Sequence, residues 1–260
     1  MKVQVDGHDR EFINLVSSQY IDFIQPGGES IDLKLTLSHD SWPEDTEDIS
    51  IEKINNSYIL AGEKFECLLD TQARSAAVRI IKELTHFNTF LRVFYSQVLV
   101  FSEGFMVHAA GLIRNNRAYL FAGPSESGKT TTAKRANGFD ILSDELVIIR
   151  RINNIFFLYS TPFSGEYTQR IKNLKAPLSN IFFLNKRLKT GLVSKSSLSS
   201  FIDLLENIFF FDQEKDSSQF ILGLSSRLTA VIESFDINIL SYSDLGRFVD
   251  GLSKGAEANT

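Results

Sequence analysis

The segment that most constrains the fold is residues 123–130, which read Gly-Pro-Ser-Glu-Ser-Gly-Lys-Thr. They match the pattern G-x-x-x-x-G-K-[ST] at every fixed position. The apolar stretch 118–122 before them predicts a strand, and residues 129–137 after them predict a short helix that Gly138 ends. A strand, a glycine-rich loop and a helix N-terminus together aim backbone N–H groups at one anion. We therefore predict a Walker A phosphate-binding loop, or P-loop, within an α/β fold.

Each residue type in this loop has a chemical reason. Gly123 and Gly128 let the backbone wrap closely around a phosphate. Lys129 can reach the β- and γ-phosphates, and the Thr130 hydroxyl can ligate Mg²⁺. The loop therefore predicts binding of a nucleoside triphosphate, with ATP and Mg²⁺ as the expected cofactors. The predicted nucleotide-binding residues are Gly123, Pro124, Ser125, Glu126, Ser127, Gly128, Lys129, Thr130 and Thr131.

A second candidate element is the acidic pair Asp144 and Glu145, which follows an apolar stretch. A carboxylate at this place can face the loop and hold Mg²⁺, so Asp144 joins Thr130 as a candidate metal ligand. The neighbouring carboxylate can accept the proton of an attacking hydroxyl. Adjacent strand residues point to opposite faces, so both can serve only where the strand ends or bulges. A solvated acidic turn is the alternative interpretation.

His108 lies in a predicted strand, 106–113, shortly before the loop. A single His on an apolar strand is typically a core residue whose ring nitrogens are hydrogen-bonded. Its position relative to the other motifs gives it a second interpretation.

The order of His108, the 123–130 loop and residues 143–145 resembles the HPr kinase/phosphorylase-like group, which is related to ATP-dependent phosphoenolpyruvate carboxykinase. Residues 161–166 and 175–184 also resemble stretches of short HPr-kinase-like proteins of bacteria, so the resemblance covers residues from about 75 to 245. It implies a fold of that kind, with a mixed sheet flanked by helices. It also implies that Lys129 and Thr130 handle phosphates and metal, that Asp144 and Glu145 activate an acceptor hydroxyl, and that His108 tunes them.

Two departures from the family pattern bear on activity. Glu145 stands where the family usually has Asp, which moves the carboxylate out by one methylene. No counterpart of the family's Arg-Gly-Leu-Gly-Ile signature follows the core motifs. A base must lie within hydrogen-bond reach of the proton that it accepts. Because the first departure moves the carboxylate, a second interpretation stays open: a protein that binds ATP without transferring its phosphoryl group efficiently.

Two further segments carry polar side chains of interest. The first segment lies between Thr161 and Lys175. A kinase needs cations near the transferred phosphoryl group or an anionic acceptor, and this segment offers candidates. The alternative interpretation of the segment is a solvated charged loop. The candidates in the first segment are Ser164, Glu166, Arg170, Lys172 and Lys175. Residues 185–188, Asn-Lys-Arg-Leu, lack the carboxylate of the guanine-reading Asn-Lys-x-Asp motif, so a strand-end turn is predicted there.

The remaining patterns divide the chain into a β-rich N-terminal lobe, residues 1–70, and a P-loop kinase-like domain, residues 71–260. Apolar residues at three- and four-residue spacing predict a long helix from Thr71 to about Phe101. Strands are predicted at 141–149, 155–159, 181–184 and 237–240, and helices at 197–211 and 217–233. The expected fold class is therefore α/β, with a small β-rich lobe in front.

Composition narrows the class of partner and the compartment. The net charge is −5 and no run is strongly basic, so no nucleic-acid partner is expected. The chain contains no stretch of about 18 apolar residues, so no membrane span is expected. Cys67 is the only cysteine, and the N-terminus lacks the pattern of a signal peptide, so a cytoplasmic location is expected.

The combined prediction is an ATP-dependent kinase that transfers the γ-phosphoryl group to a serine-like hydroxyl of a peptide, protein or small molecule. An ATP-binding regulatory or scaffold protein with weak or no transfer is the alternative. A carboxykinase-type reaction would need further Arg and His groups around the substrate, and the chain contains 4 His in all. Members of the resembled family are commonly oligomeric, which implies a homo-oligomer.

Overall fold

The computed structural model of the protein describes residues 3–24, 32–38, 48–167, 170–188, 191–241 and 245–257. Contacts between residues group the chain into two compact units. The first unit comprises Met1–Ser102 and Phe210–Phe220, and the second comprises Glu103–Phe209 and Ile221–Thr260. The first unit thus continues beyond residue 70, where the N-terminal lobe was expected to end.

The first unit is a six-stranded sheet with two helices. Its elements are β1 (Val3–Gly7), α1 (Arg10–Gln19), β2 (Leu33–Ser38), β3 (Ser50–Ile54), β4 (Ser57–Gly62), β5 (Phe65–Asp70), β6 (Ser75–Ile80) and α2 (Leu84–Val98). The strand order is β1-β2-β6-β5-β4-β3, in which β1, β2 and β6 run parallel and the other pairs are antiparallel. The predicted hairpin of β3 and β4 is confirmed.

Alternation of apolar and polar residues places the core of this unit on one face of the sheet. Leu33, Leu35 and Leu37 are buried on β2 while the residues between them are exposed, as period-2 geometry requires. The aromatic rings of α1 and α2 complete the same core, with Phe87 and Phe90 at its centre. The apolar stripe of each helix therefore covers one side of the sheet.

The predicted helix from Thr71 to Phe101 was wrong in its first part. Residues 75–80 form strand β6, in which Ala76, Val78 and Ile80 are buried and Ala77 and Arg79 are exposed. A stretch this short fits both a period of 2 and a period of 3.6, and pairing with β2 and β5 selects the strand. The helix begins only at Leu84.

Cys67 offers a direct test of the core of the first unit. The residue is 0% exposed on β5, and burial raises the pKa of its thiol to about 12. In the unfolded chain the thiol ionises near pH 8.5, so the unfolded state loses its proton first as pH rises. We expect this residue to cost the fold up to about 1.4 kcal/mol per pH unit between about pH 9 and pH 12.

The measurement compares denaturant unfolding of the wild type and Cys67→Ala across this pH range. Other groups titrate there too, so the readout is how the difference in unfolding free energy between the two proteins changes with pH. This difference should be constant below about pH 8 and should shift in favour of Cys67→Ala at higher pH. Ellman's reagent should label the native thiol far more slowly than the thiol in denaturant. Equal labelling rates would contradict the buried placement.

The second unit is built on a nine-stranded mixed sheet. Its elements are β7 (Gly104–Arg114), β8 (Arg117–Ala122), α3 (Lys129–Arg135), β9 (Asp140–Ser143), β10 (Leu146–Ile152), β11 (Ile155–Tyr159), β12 (Lys175–Leu184), β13 (Leu192–Ser194), α4 (Ser197–Leu205), β14 (Ile208–Phe209), α5 (Lys215–Val231), whose first residues belong to the first unit, β15 (Glu233–Ile237) and α6 (Leu245–Glu257). The order along the sheet is β11-β10-β7-β8-β12-β15-β13, and β9 and β14 also pair with β7.

The predicted α/β class is confirmed by these mixed sheets and helices. Strands β8, β12 and β15 run parallel, and stacked Phe121 and Phe182 rings lie in the core that α3 and α6 help to cover. Since parallel strands end at one edge, everything that follows β8, β12 and β15 gathers at the same edge of the sheet.

Several predicted boundaries were wrong by a few residues or by an element. The expected strand 141–149 is two strands, β9 and β10, with a bend at residues 144–145. The expected helix 197–211 ends at Leu205 and gives way to β14. The expected strand 237–240 is β15 followed by a 3₁₀ turn, Ile239–Ser241. Among the described residues, no helix combines the length and apolar character needed to cross a membrane.

Candidate functional site

The 123–130 segment lies where strand β8 ends and helix α3 begins. Gly128 caps the helix with φ +114°, a left-handed conformation that residues with a Cβ rarely adopt. A Cβ at Gly123 would approach the Ser127 hydroxyl oxygen to 2.8 Å, so this position also requires glycine. The two fixed glycines of the motif are thus explained by backbone conformation and close packing.

Lys129 is folded back into the loop. Its Nζ donates hydrogen bonds of 2.8 Å to the carbonyl oxygens of Gly123 and Pro124. The residue is only 8% exposed, and burial lowers the pKa of its ammonium group because desolvation disfavours the charged form. An anionic group placed beside this nitrogen would restore the preference for the charged form. The loop therefore holds a desolvated cation suited to an anion.

Asp144 is the most fully enclosed acidic group of the site, with 2% of its surface exposed. Its Oδ2 accepts a hydrogen bond of 2.9 Å from the Thr130 hydroxyl and one of 3.1 Å from the Tyr167 N–H. Its Oδ1 accepts one of 2.8 Å from the Gly165 N–H. The carboxylate thus joins three segments that are separate in the chain: the bend that carries Asp144, the first turn of α3 and residues 165–167.

The acidic pair lies where a strand ends, which is the condition under which both carboxylates could serve one site. Residues 144–145 lie in the bend between β9 and β10 rather than within a continuous strand. The buried Ser143 hydroxyl shapes this bend, since it accepts hydrogen bonds from the N–H groups of Glu145 and Leu146 and donates one of 2.6 Å to the Phe163 carbonyl. Glu145 is partly exposed, so the two carboxylates occupy different environments.

Close packing against Asp144 explains the glycine at position 165. A Cβ built there would lie 3.3 Å from Asp144 Oδ2, which is closer than most Cβ contacts.

Of the charged candidates in this region, Glu166 forms an ion pair of 3.6 Å with Lys134 of α3. Lys175 lies over the Phe157 and Tyr159 rings, and Lys172 is exposed. Residues 165–167 thus contact Asp144 through their backbone N–H groups, those of Gly165 and Tyr167.

His108 lies on β7 directly opposite Leu146 of β10, the residue after the acidic pair. The next residue along β7, Ala109, donates its N–H to the Glu145 carbonyl at 3.0 Å. The backbone of His108 is therefore held close to the backbone of Glu145. The role of its half-buried imidazole stays a prediction.

Residues 185–188 form a turn, as predicted. The Asn185 side chain accepts a hydrogen bond of 3.0 Å from the Arg187 N–H, and its backbone N–H donates to Ile237. This side chain shapes its own turn at the end of β12.

The donor atoms of Thr130 and Asp144 fit a magnesium ion. A hydroxyl and a carboxylate 2.9 Å apart are both hard oxygen ligands, which Mg²⁺ prefers. Within the described ranges, no three His, Cys, Asp or Glu side chains are grouped so that they could hold a metal. A small protein contribution suits Mg²⁺, because this ion keeps several waters and takes substrate phosphates as ligands.

Three partners in this region have no signature in the sequence. Two are the N–H groups of Gly165 and Tyr167, which contact Asp144 across 21 and 23 residues of chain. The third is the Asn207 side chain, whose Oδ1 accepts the Gly123 N–H at 3.1 Å across 84 residues. Backbone donors are the same in every residue type, so only the folded chain reveals them.

No protein-family model matches this chain, and no curated protein matches its sequence. Among solved structures, the chain is similar to the Hpr(Ser) kinase/phosphatase from Coxiella burnetii, with 10% sequence identity and a TM-score of 0.36. That similarity covers 59% of this chain and 91% of the other. A similarity this distant assigns neither a family nor an activity.

Proposed function

We propose that the protein is an ATP-dependent kinase that phosphorylates a serine-like hydroxyl of a peptide, protein or small molecule. The observation that carries this proposal is the 2.9 Å hydrogen bond between Thr130 and Asp144, next to a loop that holds a buried lysine. A phosphate-binding loop and a magnesium-holding carboxylate must meet in this way for phosphoryl transfer. A chance glycine-rich turn has no reason to face a buried aspartate.

The residues divide the work of binding the triphosphate. The loop amides and the N-terminus of α3 face the phosphates, and Lys129 neutralises charge on the β- and γ-phosphates. Magnesium, held by Thr130 and Asp144, would supply further charge neutralisation on the phosphate oxygens. These groups stay in place during the reaction, so catalysis comes mainly from positioning and electrostatic stabilisation.

In the transfer step, the acceptor hydroxyl oxygen forms a bond to the γ-phosphorus while the bond from that phosphorus to the β–γ bridging oxygen breaks. ADP leaves with the bridging electrons, and the acceptor proton needs a base within hydrogen-bond reach. Asp144 already accepts three hydrogen bonds. The partly exposed Glu145 is therefore the proton acceptor in this proposal, with His108 close to it on β7.

The experiment that tests the function incubates the protein with γ-labelled ATP, Mg²⁺ and a panel of acceptors: serine, HPr and a peptide that ends in serine. Label on an acceptor, lost in Lys129→Ala and Asp144→Asn, supports the kinase. Tight Mg-ATP binding without label on any member of a broad panel contradicts it and favours a nucleotide-dependent regulatory protein. That outcome would indicate that Glu145, in the place of the family's usual Asp, prevents transfer.

Thr130 offers a prediction that separates its hydroxyl from its shape. Thr130→Val keeps the side-chain volume but removes the hydroxyl, whereas Thr130→Ser keeps the hydroxyl. We expect Thr130→Val to raise the Mg²⁺ concentration needed for half-maximal transfer and to lower kcat/KM by at least roughly 10- to 100-fold, the cost typical of disturbing the groups that support a metal's ligands. Thr130→Ser should stay within a few-fold of wild type. Equal losses in both variants, measured by magnesium titration, would show that packing alone matters at this position.

A further inference from the structure

Asn207 connects the first residue of the glycine-rich loop to helix α4. The residue follows α4, precedes β14 and is 8% exposed. Its side-chain Oδ1 accepts the Gly123 N–H at 3.1 Å, and its Nδ2 donates to the Asp203 carbonyl at 2.7 Å. One buried amide thus bridges two backbone groups from distant parts of the second unit.

The orientation of this amide is determined by its partners. Because Nδ2 must face a carbonyl and Oδ1 must face an N–H group, the two atoms cannot exchange places. The backbone of Asn207 is fixed as well, since its N–H donates to Leu204 at 2.9 Å and its carbonyl accepts from His108 at 2.7 Å. Alanine offers neither group, and aspartate offers the acceptor without the donor.

The far end of the bridge is anchored to the sheet. The Asp203 carboxylate forms an ion pair of 2.6 Å with Lys195, which also contacts Asp236 of β15 at 3.2 Å. Lys195 is largely buried, so these contacts are shielded from solvent. Asn207 therefore ties the loop to a part of α4 whose position is already defined.

Gly123 is held on two sides. Asn207 takes its N–H, while its carbonyl accepts the Lys129 ammonium group. If Lys129 turns toward a phosphate, that second contact is given up and the contact with Asn207 keeps the start of the loop in place. The Gly123 N–H, engaged by Asn207, is then not among the amides that face the phosphates.

We propose that Asn207 is a positioning residue that fixes the entry of the loop, so that the remaining loop amides stay aligned on the triphosphate of Mg-ATP. This inference rests on the proposed function. It predicts that the residue acts on nucleotide affinity through the Gly123 N–H, although it lies outside the sequence motif.

The test measures the dissociation constant of Mg-ATP by calorimetry for the full chain and its variants. Asn207→Ala should raise it about tenfold, the effect expected when a buried N–H loses its acceptor and the loop loses its alignment. The matched control is Ser160→Ala, which also removes a buried side-chain acceptor of one backbone N–H, that of Leu174 at 2.8 Å, without contact to the loop. This control should change the dissociation constant less than about twofold at a similar loss of thermal stability.

Asn207→Asp isolates the acceptor, because it keeps an oxygen for the Gly123 N–H and loses only the donor to the Asp203 carbonyl. The new negative charge lies close to the anion site, so its affinity relative to wild type should fall most at low salt and recover in part at high salt. If Asn207→Ala does not fold, a loss of affinity in Asn207→Asp that persists in full at high salt would overturn the role of the Gly123 N–H. Wild-type affinity in both Asn207 variants, or an equal loss in Ser160→Ala, would overturn the inference alone. Failure of the wild type to bind Mg-ATP would instead overturn the proposed function, and the inference with it.

Discussion

Lys129→Ala is expected to lower kcat/KM for phosphoryl transfer about 100- to 1000-fold, the range for removing one preorganised group that stabilises transition-state charge. The ammonium group now contacts two carbonyl oxygens of its own loop, and its burial means that little water shields it from a bound phosphate. When it is removed, the negative charge that develops on the γ-phosphoryl group loses the cation that the loop supplies.

The measurement combines the labelled-ATP assay with the thermal shift that Mg-ATP produces. The stabilisation by a bound ligand grows with the logarithm of its concentration divided by its dissociation constant, so at a fixed concentration of Mg-ATP this shift should shrink markedly in Lys129→Ala. Lys134→Ala is the matched control, because Lys134 lies on the same helix and its side chain is half-exposed beside Glu166. The control should retain both the shift and the activity. Full transfer activity in Lys129→Ala would contradict the proposed role of the loop.

Asp144→Asn is the second change with a large expected effect, and it should act on both activity and stability. Both carboxylate oxygens accept backbone N–H groups, from Gly165 and Tyr167. An asparagine would direct its NH₂ group at one of these donors or at the Thr130 hydroxyl. We expect a loss of about 1–3 kcal/mol in the free energy of unfolding, and transfer at least about 100-fold slower because the magnesium ligand is lost.

Asp140→Asn is the control for this change, since Asp140 is an exposed acid on the same strand, β9. It should leave unfolding and transfer close to wild type. Denaturant unfolding and the labelled-ATP assay are measured on the same preparations. If Asp144→Asn proves as stable as wild type, the three hydrogen bonds to its carboxylate do not contribute as the structure indicates. If it is destabilised but fully active, Asp144 has a structural role only.

Much of the region around the loop follows from local patterns. The strand before residue 123 and the helix after residue 128 were predicted correctly, because strong apolar runs and a glycine-rich loop act over short distances. Strand β7 was predicted for the same reason. The contact between Thr130 and Asp144 was also expected from the motif, in which a hydroxyl after the lysine and an acid at the end of the next strand would serve one metal ion.

Other parts of the fold were not available from local patterns. Residues 75–80 fit helical and strand periods equally, and pairing with β2 and β5 selected the strand. The two-residue strand β14 is too short to have a pattern of its own and exists through its pairing with β7. Long-range pairing depends on which segments the rest of the chain brings together, which no window of sequence contains.

The sequence by itself determined which groups the loop carries: glycines where the backbone must turn, a lysine and a threonine at the start of a helix, and two carboxylates downstream. Only the tertiary structure decided how the two carboxylates differ. Asp144 is enclosed by N–H groups from residues 165 and 167, while Glu145 stays partly exposed at the bend. Only the tertiary structure placed Asn207 at the start of the loop. Burial and backbone hydrogen bonds join residues far apart in the chain, so they arise only when the chain folds.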